Sequence, residues 1–339
     1  MDERNRRTYL LGAIGAVVVL TLLFVAVGAR RIADSLLSAD PVFVAATAGL
    51  ACCWLAAWGL MLRTVLGALG VSLPPPLAVA VYAGIVFGNN VTPFGQAGGE
   101  PVAAALVSKV ADARYETGLA AVTSLDVLNV VPSLSLAFLG VGYYATTAAV
   151  GERLEAAVLS VAALGVGVVL VATVVWRRRH AIATRLPAVV APRLGRLGGE
   201  RFDPEALEAD LRERTRRFFA NVGRVATSRR RLAAALGLSL SGWLFQVVAL
   251  AAAFAAVGHA APLAVLVFAI PIANLAGAAP LPGGLGGIEA AFVAVLVPTT
   301  GIEPSAVTAA VLVFRGATYW LSTLLGGVAV SAFGVRTVR

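Results

Sequence analysis

Charged residues, cysteine, histidine and lysine are all scarce in this chain of 339 residues, and each scarcity excludes something. Charged side chains make up 13% of the sequence, too few for the surface of a soluble domain of this length. Cys52 and Cys53 are adjacent within an apolar run, so neither a mutual disulfide nor a metal site is expected there. His180 and His259 lack the spacing of metal ligands. We therefore expect no metal and no cofactor.

Apolar residues are abundant instead. They form 59% of the chain and give a mean hydropathy of +0.87, although aromatic residues contribute only 7%. Alanine, valine and leucine therefore dominate, which suits helices in lipid, where each segment must satisfy its own backbone hydrogen bonds. Lys109 is the single lysine among 27 basic residues, and this codon usage indicates a GC-rich prokaryotic genome. The composition predicts an all-α polytopic protein of the cell membrane.

Apolar runs of about 18 residues or more are typical of helices that cross a bilayer. The first run is too long for a signal peptide, so we expect an uncleaved helix there. Two other stretches, Leu77–Val110 and Pro262–Val297, are apolar but interrupted by Pro and Gly, which disfavour a continuous helix. Six full spans are predicted, and they are Tyr9–Ala29, Val42–Leu62, Gly118–Gly140, Leu154–Trp176, Leu232–Val257 and Ser305–Phe333.

The positive charge is concentrated in the segment 177–231. It holds fifteen arginines and six acidic residues, and the difference of +9 equals the net charge of the whole chain. The positive-inside rule places this loop and both termini in the cytoplasm. We predict a single membrane domain over 1–339, with a first half 9–176 and a second half 232–333 on either side of the loop.

The basic loop also predicts an amphipathic helix over residues 203–225. Asp203, Pro204 and Glu205 form a typical helix start, with a capping Asp and a Pro at the first helical position. Arginines occupy the polar faces, which favours a helix lying on anionic headgroups, although a helix that docks a protein partner fits the same pattern. The apolar positions at helical spacing are Leu207, Leu211, Phe218, Val222 and Val225.

The two interrupted stretches share an order of residue types, in which Asn, Pro and a pair of Gly precede a Glu. This weak repeat predicts two re-entrant hairpins, the first entering from the cytoplasm (77–110) and the second from outside (262–297). Opposed hairpins in corresponding positions are the pattern of inverted-repeat transporters, whose substrates bind where the broken ends meet. The candidate site residues are Asn90, Pro93, Gly98, Gly99 and Glu100 in the first motif, and Asn274, Pro282, Gly283, Gly284, Gly286 and Glu289 in the second.

Backbone N–H groups in such Gly-rich turns can bind a lipid phosphate, or the glycines can simply allow close packing of helices. Arg315 lies in the middle of the last span, where a charge is costly and needs a partner. We expect Arg315 to pair with Glu289 or Glu100, or to hold a headgroup phosphate, and a purely structural ion pair stays open. Tyr319 lies one turn later on the same helix face. Asp126 and Asn129 are candidates for lining a cavity.

These motifs resemble the transmembrane region of the lysylphosphatidylglycerol synthase family, a flippase-like domain that also occurs as a stand-alone prokaryotic membrane protein. The resemblance rests on Asn90-x-x-Pro93 with Gly98-Gly99-Glu100, on the Pro282 to Glu289 motif, and on Arg315-x-x-x-Tyr319. It covers roughly residues 9 to 333. Glu100 departs from it, because a basic or variable residue is expected there in many relatives.

The resemblance implies movement of a lipid between leaflets, such as an aminoacylated phospholipid or a polyprenyl-linked sugar. We expect no synthase activity, because the chain holds no soluble domain for aminoacyl transfer. Two alternatives stay open, a membrane-embedded lipid-modifying transferase that uses Glu100, Glu289 or Asp126 as acid or base, and a non-transporting scaffold. Membrane lipids are the expected partners, nucleic acid is not, and a homodimer is left open.

Overall fold

The computed structural model describes residues 3–92, 95–147, 170, 173–198, 204–279 and 281–334, and within these ranges the chain is helical and contains no strand. Five helices are long and apolar enough to cross a bilayer: Pro41–Ala68, Tyr115–Tyr144, Arg229–Ala256, Pro282–Thr300 and Pro304–Ala332. A bent helix pair, Ile14–Val27 with Ala29–Leu37, gives a sixth if it is counted as one span. The prediction of an all-α polytopic membrane protein is confirmed. The predicted span Leu154–Trp176 lies almost wholly outside the described residues.

Thirteen helices are described, and we number them in chain order. They are α1 Glu3–Val27, α2 Ala29–Leu37, α3 Pro41–Ala68, α4 Pro75–Val91, α5 Gly95–Val110, α6 Tyr115–Thr147, α7 Arg179–Gly198, α8 Pro204–Thr227, α9 Arg229–Ala256, α10 Leu263–Leu275, α11 Gly287–Thr300, α12 Pro304–Arg315 and α13 Ser322–Ala332.

The first predicted span ends earlier than expected. Its helix stops at Val27, and the chain turns by 86° into α2. Gly28 makes this turn with φ 99°, a backbone conformation that is unfavourable for residues with a Cβ atom. Ile32 of α2 is fully buried, because α2 packs against α12. Arg31 and Glu303 pair across this contact, with Nη1 and Oε1 3.5 Å apart.

Helices α3 and α9 form the centre of the bundle. A small residue allows them to approach closely, because a Cβ at Gly242 would lie 2.0 Å from the indole nitrogen of Trp58. That nitrogen donates a hydrogen bond to the carbonyl oxygen of Ser239 at 3.1 Å. Trp58 faces the interior of the bundle, and its contact with Gly242 and its bond to Ser239 therefore fix the spacing of these two helices.

Both interrupted stretches are broken in the structure, as their Pro and Gly content predicts. The first breaks between α4 and α5, and the second between α10 and α11, where two 3₁₀ turns, Ala276–Ala278 and Pro282–Gly284, separate the helices. The turn Pro282–Gly284 packs against α4 and α5. The two breaks therefore meet inside the protein, which is where irregular backbone is tolerated in a membrane protein.

The last predicted span, Ser305–Phe333, corresponds to a continuous helical stretch from Pro304 to Ala332. Its middle is not regular, because a π-helical turn over Gly316–Leu321 connects α12 to α13. Such turns are rare, and they frequently occur at functional sites. Here the turn follows Arg315 directly.

The amphipathic helix predicted over 203–225 is α8, although Asp203 itself lies outside the described residues. Phe218 and Val222 pack against the core and Val225 is buried, whereas its arginines are exposed. Pairs at helical spacing, such as Arg217 with Glu213 at 2.8 Å, support the polar face. A further pair, Arg214 with Glu116 at 3.2 Å, ties α8 to the start of α6.

Candidate functional site

A cavity of about 610 Å³, lined by both apolar and polar side chains, lies where the two breaks meet the central helices. Its volume is in the range of small-molecule sites, roughly 300–1,000 Å³. Side chains from α3, α4, α5, α6, α9 and α12 line it, together with the second break. Seven site residues predicted from the sequence share this cavity: Asn90, Glu100, Asp126, Asn129, Asn274, Gly283 and Arg315.

Arg315 forms an ion pair with Glu289. Its Nε lies 2.7 Å from Oε1 of Glu289, and the two side chains are only 11% and 3% exposed. Its Nη2 donates to the carbonyl oxygen of Gly283 at 3.3 Å, and its guanidinium carbon lies 4.8 Å from the ring centre of Tyr319. The sequence predicted Glu289 or Glu100 as the ion-pair partner of Arg315, and in the structure the partner is Glu289.

Glu289 is itself held in place by the start of α11. Its second oxygen, Oε2, accepts a hydrogen bond from the backbone nitrogen of Gly286 at 2.6 Å. The carboxylate therefore satisfies an N–H that the helix leaves unpaired at its first turn, where negative charge is also favoured. Both oxygens of Glu289 are occupied, so its position determines the orientation of Arg315.

Tyr319 connects Arg315 to the first broken stretch. Its hydroxyl donates to the carbonyl oxygen of Asn90 at 3.2 Å, and the side-chain amide of Asn90 donates to the hydroxyl of Thr323 at 2.8 Å. The π-helical turn and the start of α13 thus bond to the end of α4. Residues from both motifs are joined through Tyr319.

Arg315 has N–H donors that make no hydrogen bond to any residue that the structure describes. A guanidinium carries five N–H donors, and Glu289 and Gly283 accept from two of them. Within the described ranges no other acceptor lies within hydrogen-bond distance of Arg315. Because Arg315 also lines the cavity, the site can offer a fixed, partly desolvated cation to an anionic group.

Glu100 does not contact Arg315. It hydrogen-bonds instead to the side chain of Asp126, and both carboxyls line the cavity. Asn129 is buried on the same helix as Asp126 and accepts a hydrogen bond from the hydroxyl of Ser239 at 2.5 Å. Asp126 and Asn129 both line the cavity, the position that the sequence predicted for them.

Most of the remaining predicted residues lie at the two breaks. Gly98 and Gly99 lie in the first turn of α5, and a Cβ at Gly99 would come within 2.0 Å of Oδ1 of Asn89. Pro282, Gly284 and Gly286 shape the second break, and Asn274 is exposed at the end of α10. Pro93 lies outside the described residues. Among the residues that are described, no cluster of three or more metal-ligating side chains occurs.

Sequence reasoning missed four aromatic residues that form one side of the cavity, and we refer to them as the aromatic wall. Trp58 lies at the centre, with ring centres 5.5 Å from Trp54, 6.0 Å from Tyr82 and 5.5 Å from Trp243. Tryptophan in membrane proteins concentrates at the bilayer interfaces. Trp54 and Trp58, one turn apart in the middle of an apolar span, were the available signal.

Comparison with known proteins agrees with this architecture. Residues 10–326 match the family model described as the lysylphosphatidylglycerol synthase TM region. A UPF0104 membrane protein of Methanothermobacter thermautotrophicus is 30% identical over 98% of this chain and 95% of its own length. A second UPF0104 membrane protein, from Pyrococcus horikoshii, is 26% identical over 96% of each chain. The match to membrane proteins runs through nearly the whole sequence, including both breaks and Arg315.

Proposed function

This chain belongs to the lysylphosphatidylglycerol synthase transmembrane-region family, and on that premise we propose that it moves a lipid between the leaflets of the membrane. The substrate is an anionic phospholipid or a polyprenyl-linked glycolipid. Its headgroup occupies the cavity, and its acyl or prenyl chain stays in the bilayer. Membrane lipids are thus its partners.

One observation carries the proposal most directly, the arginine in the middle of an apolar helix that lines a cavity. A charge at such a depth costs roughly 2.5–3.5 kcal/mol by insertion scales, and it is usually retained for binding or coupling. The unused donors of Arg315 suit phosphate oxygens, because guanidinium forms strong charge-assisted hydrogen bonds with phosphate. Glu289 and Tyr319 keep the guanidinium in place, so little ordering is needed on binding.

The two breaks supply the route in this proposal. Each acts as a re-entrant hairpin, the first (77–110) entering from the cytoplasm and the second (262–297) from outside. Their ends meet at the cavity, so a headgroup there can be exposed to either side by small movements of one hairpin. The turn Pro282–Gly284, packed on α4 and α5, is the contact that such a movement changes.

The orientation follows from charge. The basic segment 177–231 and both termini lie in the cytoplasm of a prokaryotic cell. The exposed arginines of α8 lie against anionic headgroups of the inner leaflet, each contributing roughly 1 kcal/mol, while Val225 and its apolar neighbours pack on the bundle. In this arrangement α8 binds the membrane surface. Its arginines contact lipid headgroups and do not bind nucleic acid.

The proposal is tested with the purified full chain in proteoliposomes that carry a fluorescent lipid in one leaflet. Labelled phosphatidylglycerol and a labelled prenyl-phosphate sugar cover the two substrate classes. We expect transbilayer movement of at least one of them above the rate in protein-free vesicles. Rates equal to protein-free vesicles for every anionic lipid would reject the transporter.

A second candidate, a membrane-embedded lipid-modifying transferase, is favoured by one observation. Glu100 and Asp126 are two hydrogen-bonded carboxyls in the cavity, and such a pair can move a proton on a bound substrate. Chemical modification of the labelled lipid during the same assay, detected by mass spectrometry, supports this candidate. Unmodified lipid that has changed leaflet supports the transporter.

A further inference from the structure

The aromatic wall of the cavity has an unused hydrogen-bond donor. Trp58 donates to the carbonyl of Ser239 and Trp243 donates to the carbonyl of Asn129 at 3.2 Å. Trp54 is 7% exposed, and its buried indole N–H meets no acceptor within the described part of the chain. A buried donor without a partner costs about 1–3 kcal/mol, so this position calls for a ligand that accepts.

The same cavity has an unused acceptor. Asn89 lines it, and its side-chain oxygen is buried and meets no donor among the described residues. Gly99 packs directly against the Asn89 side chain. Trp54 lies on α3 and Asn89 near the end of α4, and the two helices pack together.

One donor and one acceptor together restrict the class of ligand. Phosphate oxygens accept but do not donate, so phosphate satisfies Trp54 and leaves Asn89 unpaired. An ammonium group donates but does not accept, so it satisfies Asn89 and leaves Trp54 unpaired. A hydroxyl group does both. A group with several hydroxyls can satisfy the two positions at once.

The neighbouring side chains suit the same group. Carboxyls of Glu100 and Asp126 accept from hydroxyls, and the amide of Gln246, which is 6% exposed, can donate and accept. The rings of the aromatic wall present apolar surface to the C–H faces of a sugar or polyol. The cavity is thus mixed in polarity on this side and cationic at Arg315.

We propose that the aromatic wall with Asn89, Glu100 and Asp126 is a subsite for a hydroxyl-rich headgroup, a sugar or a polyol, whose phosphate is bound by Arg315. This inference rests on the proposed function and names its substrate class. Two lipid sources carry this chemistry. One is a phospholipid with a polyol headgroup, and the other is a polyprenyl phosphate that carries a sugar.

The test measures the binding of short-chain lipids to the full chain in detergent by isothermal titration calorimetry. Dihexanoyl phosphatidylinositol and a short prenyl-phosphate glucose represent the two sources. Dihexanoyl phosphatidic acid has the phosphate without any alcohol headgroup, and dihexanoyl phosphatidylethanolamine adds an ammonium. We expect one of the hydroxyl-rich lipids to bind about tenfold more tightly than phosphatidic acid, and which of the two it is identifies the source.

Trp54→Phe removes the indole N–H and keeps an aromatic ring. It should weaken the hydroxyl-rich lipid by about tenfold and leave phosphatidic acid unchanged. Trp320→Phe, at an exposed tryptophan of the last span, is the matched control and should change neither. The selectivity of the unmodified chain is measured first, so the test does not depend on how well a variant folds.

Three outcomes overturn the subsite. Phosphatidic acid can bind as well as the hydroxyl-rich lipids, phosphatidylethanolamine can bind most tightly, or Trp54→Phe can leave every affinity unchanged, as expected if water fills these positions. These outcomes leave the proposed function intact, because the binding of phosphatidic acid measures the interaction of the phosphate with Arg315 alone. Failure of every anionic lipid to bind rejects the proposed function itself.

Discussion

Arg315 and Glu289, 26 positions apart in the sequence, form a buried ion pair at 2.7 Å between the start of α11 and the end of α12. Neither charge can be removed alone without leaving the other in an apolar surrounding. The pair joins the end of the second break, through the start of α11, to the end of α12. It also determines where the free donors of Arg315 lie.

Replacing Glu289 with alanine should destabilise the protein strongly. The change leaves Arg315 without its counter-ion and the Gly286 N–H without its acceptor, and breaking a buried pair costs about 3–5 kcal/mol. Glu289→Gln should cost less, because the amide oxygen still accepts from Gly286. Chemical unfolding in detergent measures both changes.

The control is Glu303→Gln, which removes an exposed partner of Arg31. Exposed ion pairs contribute about 0–1 kcal/mol, so this variant should unfold almost like the parent chain. If Glu289→Ala and Glu303→Gln shift unfolding equally, the buried pair does not stabilise the fold as described.

Gly283→Ala should disrupt the meeting point of the two breaks. Gly283 has φ 54°, and a Cβ there would lie 2.4 Å from the Tyr319 ring and 3.0 Å from the Asn90 carbonyl oxygen. Gly301 is the matched control, because it also has a positive φ, 69°, but a Cβ there meets open space. Backbone strain alone costs roughly 1–2 kcal/mol. We expect the Gly283 variant to lose substantially more stability, by the same unfolding measurement, and equal losses contradict the contact.

Tyr319→Phe tests the link between the two motifs. The variant keeps the ring under Arg315 and removes the hydroxyl that bonds to the carbonyl of Asn90. Global stability should fall by only about 1 kcal/mol, while amide hydrogen exchange should increase around residues 87–92. Tyr115→Phe, at an exposed tyrosine, should leave exchange there unchanged. Unaltered exchange in Tyr319→Phe would show that this bond does not restrain the first break.

Much of this site follows from local sequence patterns. A charge in an apolar span, as at Arg315, requires a partner, and the number of carboxyls in apolar stretches is small enough to restrict the choice. Pro and Gly occur together in both interrupted apolar stretches and predict a break in each, and the structure confirms both breaks. The start of α8 follows from Pro204 and Glu205 for the same local reason.

What the sequence did not provide depends on packing between distant segments. The interaction between the side chains of Glu100 and Asp126 joins helices that only the tertiary fold brings together, and so does the aromatic wall of Trp54, Trp58, Tyr82 and Trp243. The choice of Glu289 over Glu100 for Arg315 is of the same kind. The 86° turn at Gly28 was missed because the sequence marks the end of the apolar run, at Arg30 and Arg31, but not the direction in which the chain continues, which depends on the packing of α2 against α12.

The orientation can be tested by labelling cysteines with a membrane-impermeant maleimide in intact cells. Cys52 and Cys53 are exposed and are first replaced with alanine. Because Arg31 and Glu303 pair, they share one side of the membrane, which the charge rule assigns to the outside. Glu303→Cys should therefore be labelled in intact cells, and Arg216→Cys on α8 only after permeabilisation. The reverse pattern inverts the topology and with it the order of the two hairpins.

Arg315 binds the headgroup phosphate in this mechanism and is more than a structural partner of Glu289, and removing both charges together separates these two roles. Arg315→Met with Glu289→Gln eliminates the buried pair without leaving either charge alone, and the Gln side chain can still accept from Gly286. Such neutral replacements of buried pairs are often tolerated by the fold. In the proteoliposome assay, we expect a folded double variant that no longer moves anionic lipid. A folded double variant that moves lipid at the rate of the parent chain would contradict phosphate binding by Arg315, because the pair would then be structural only.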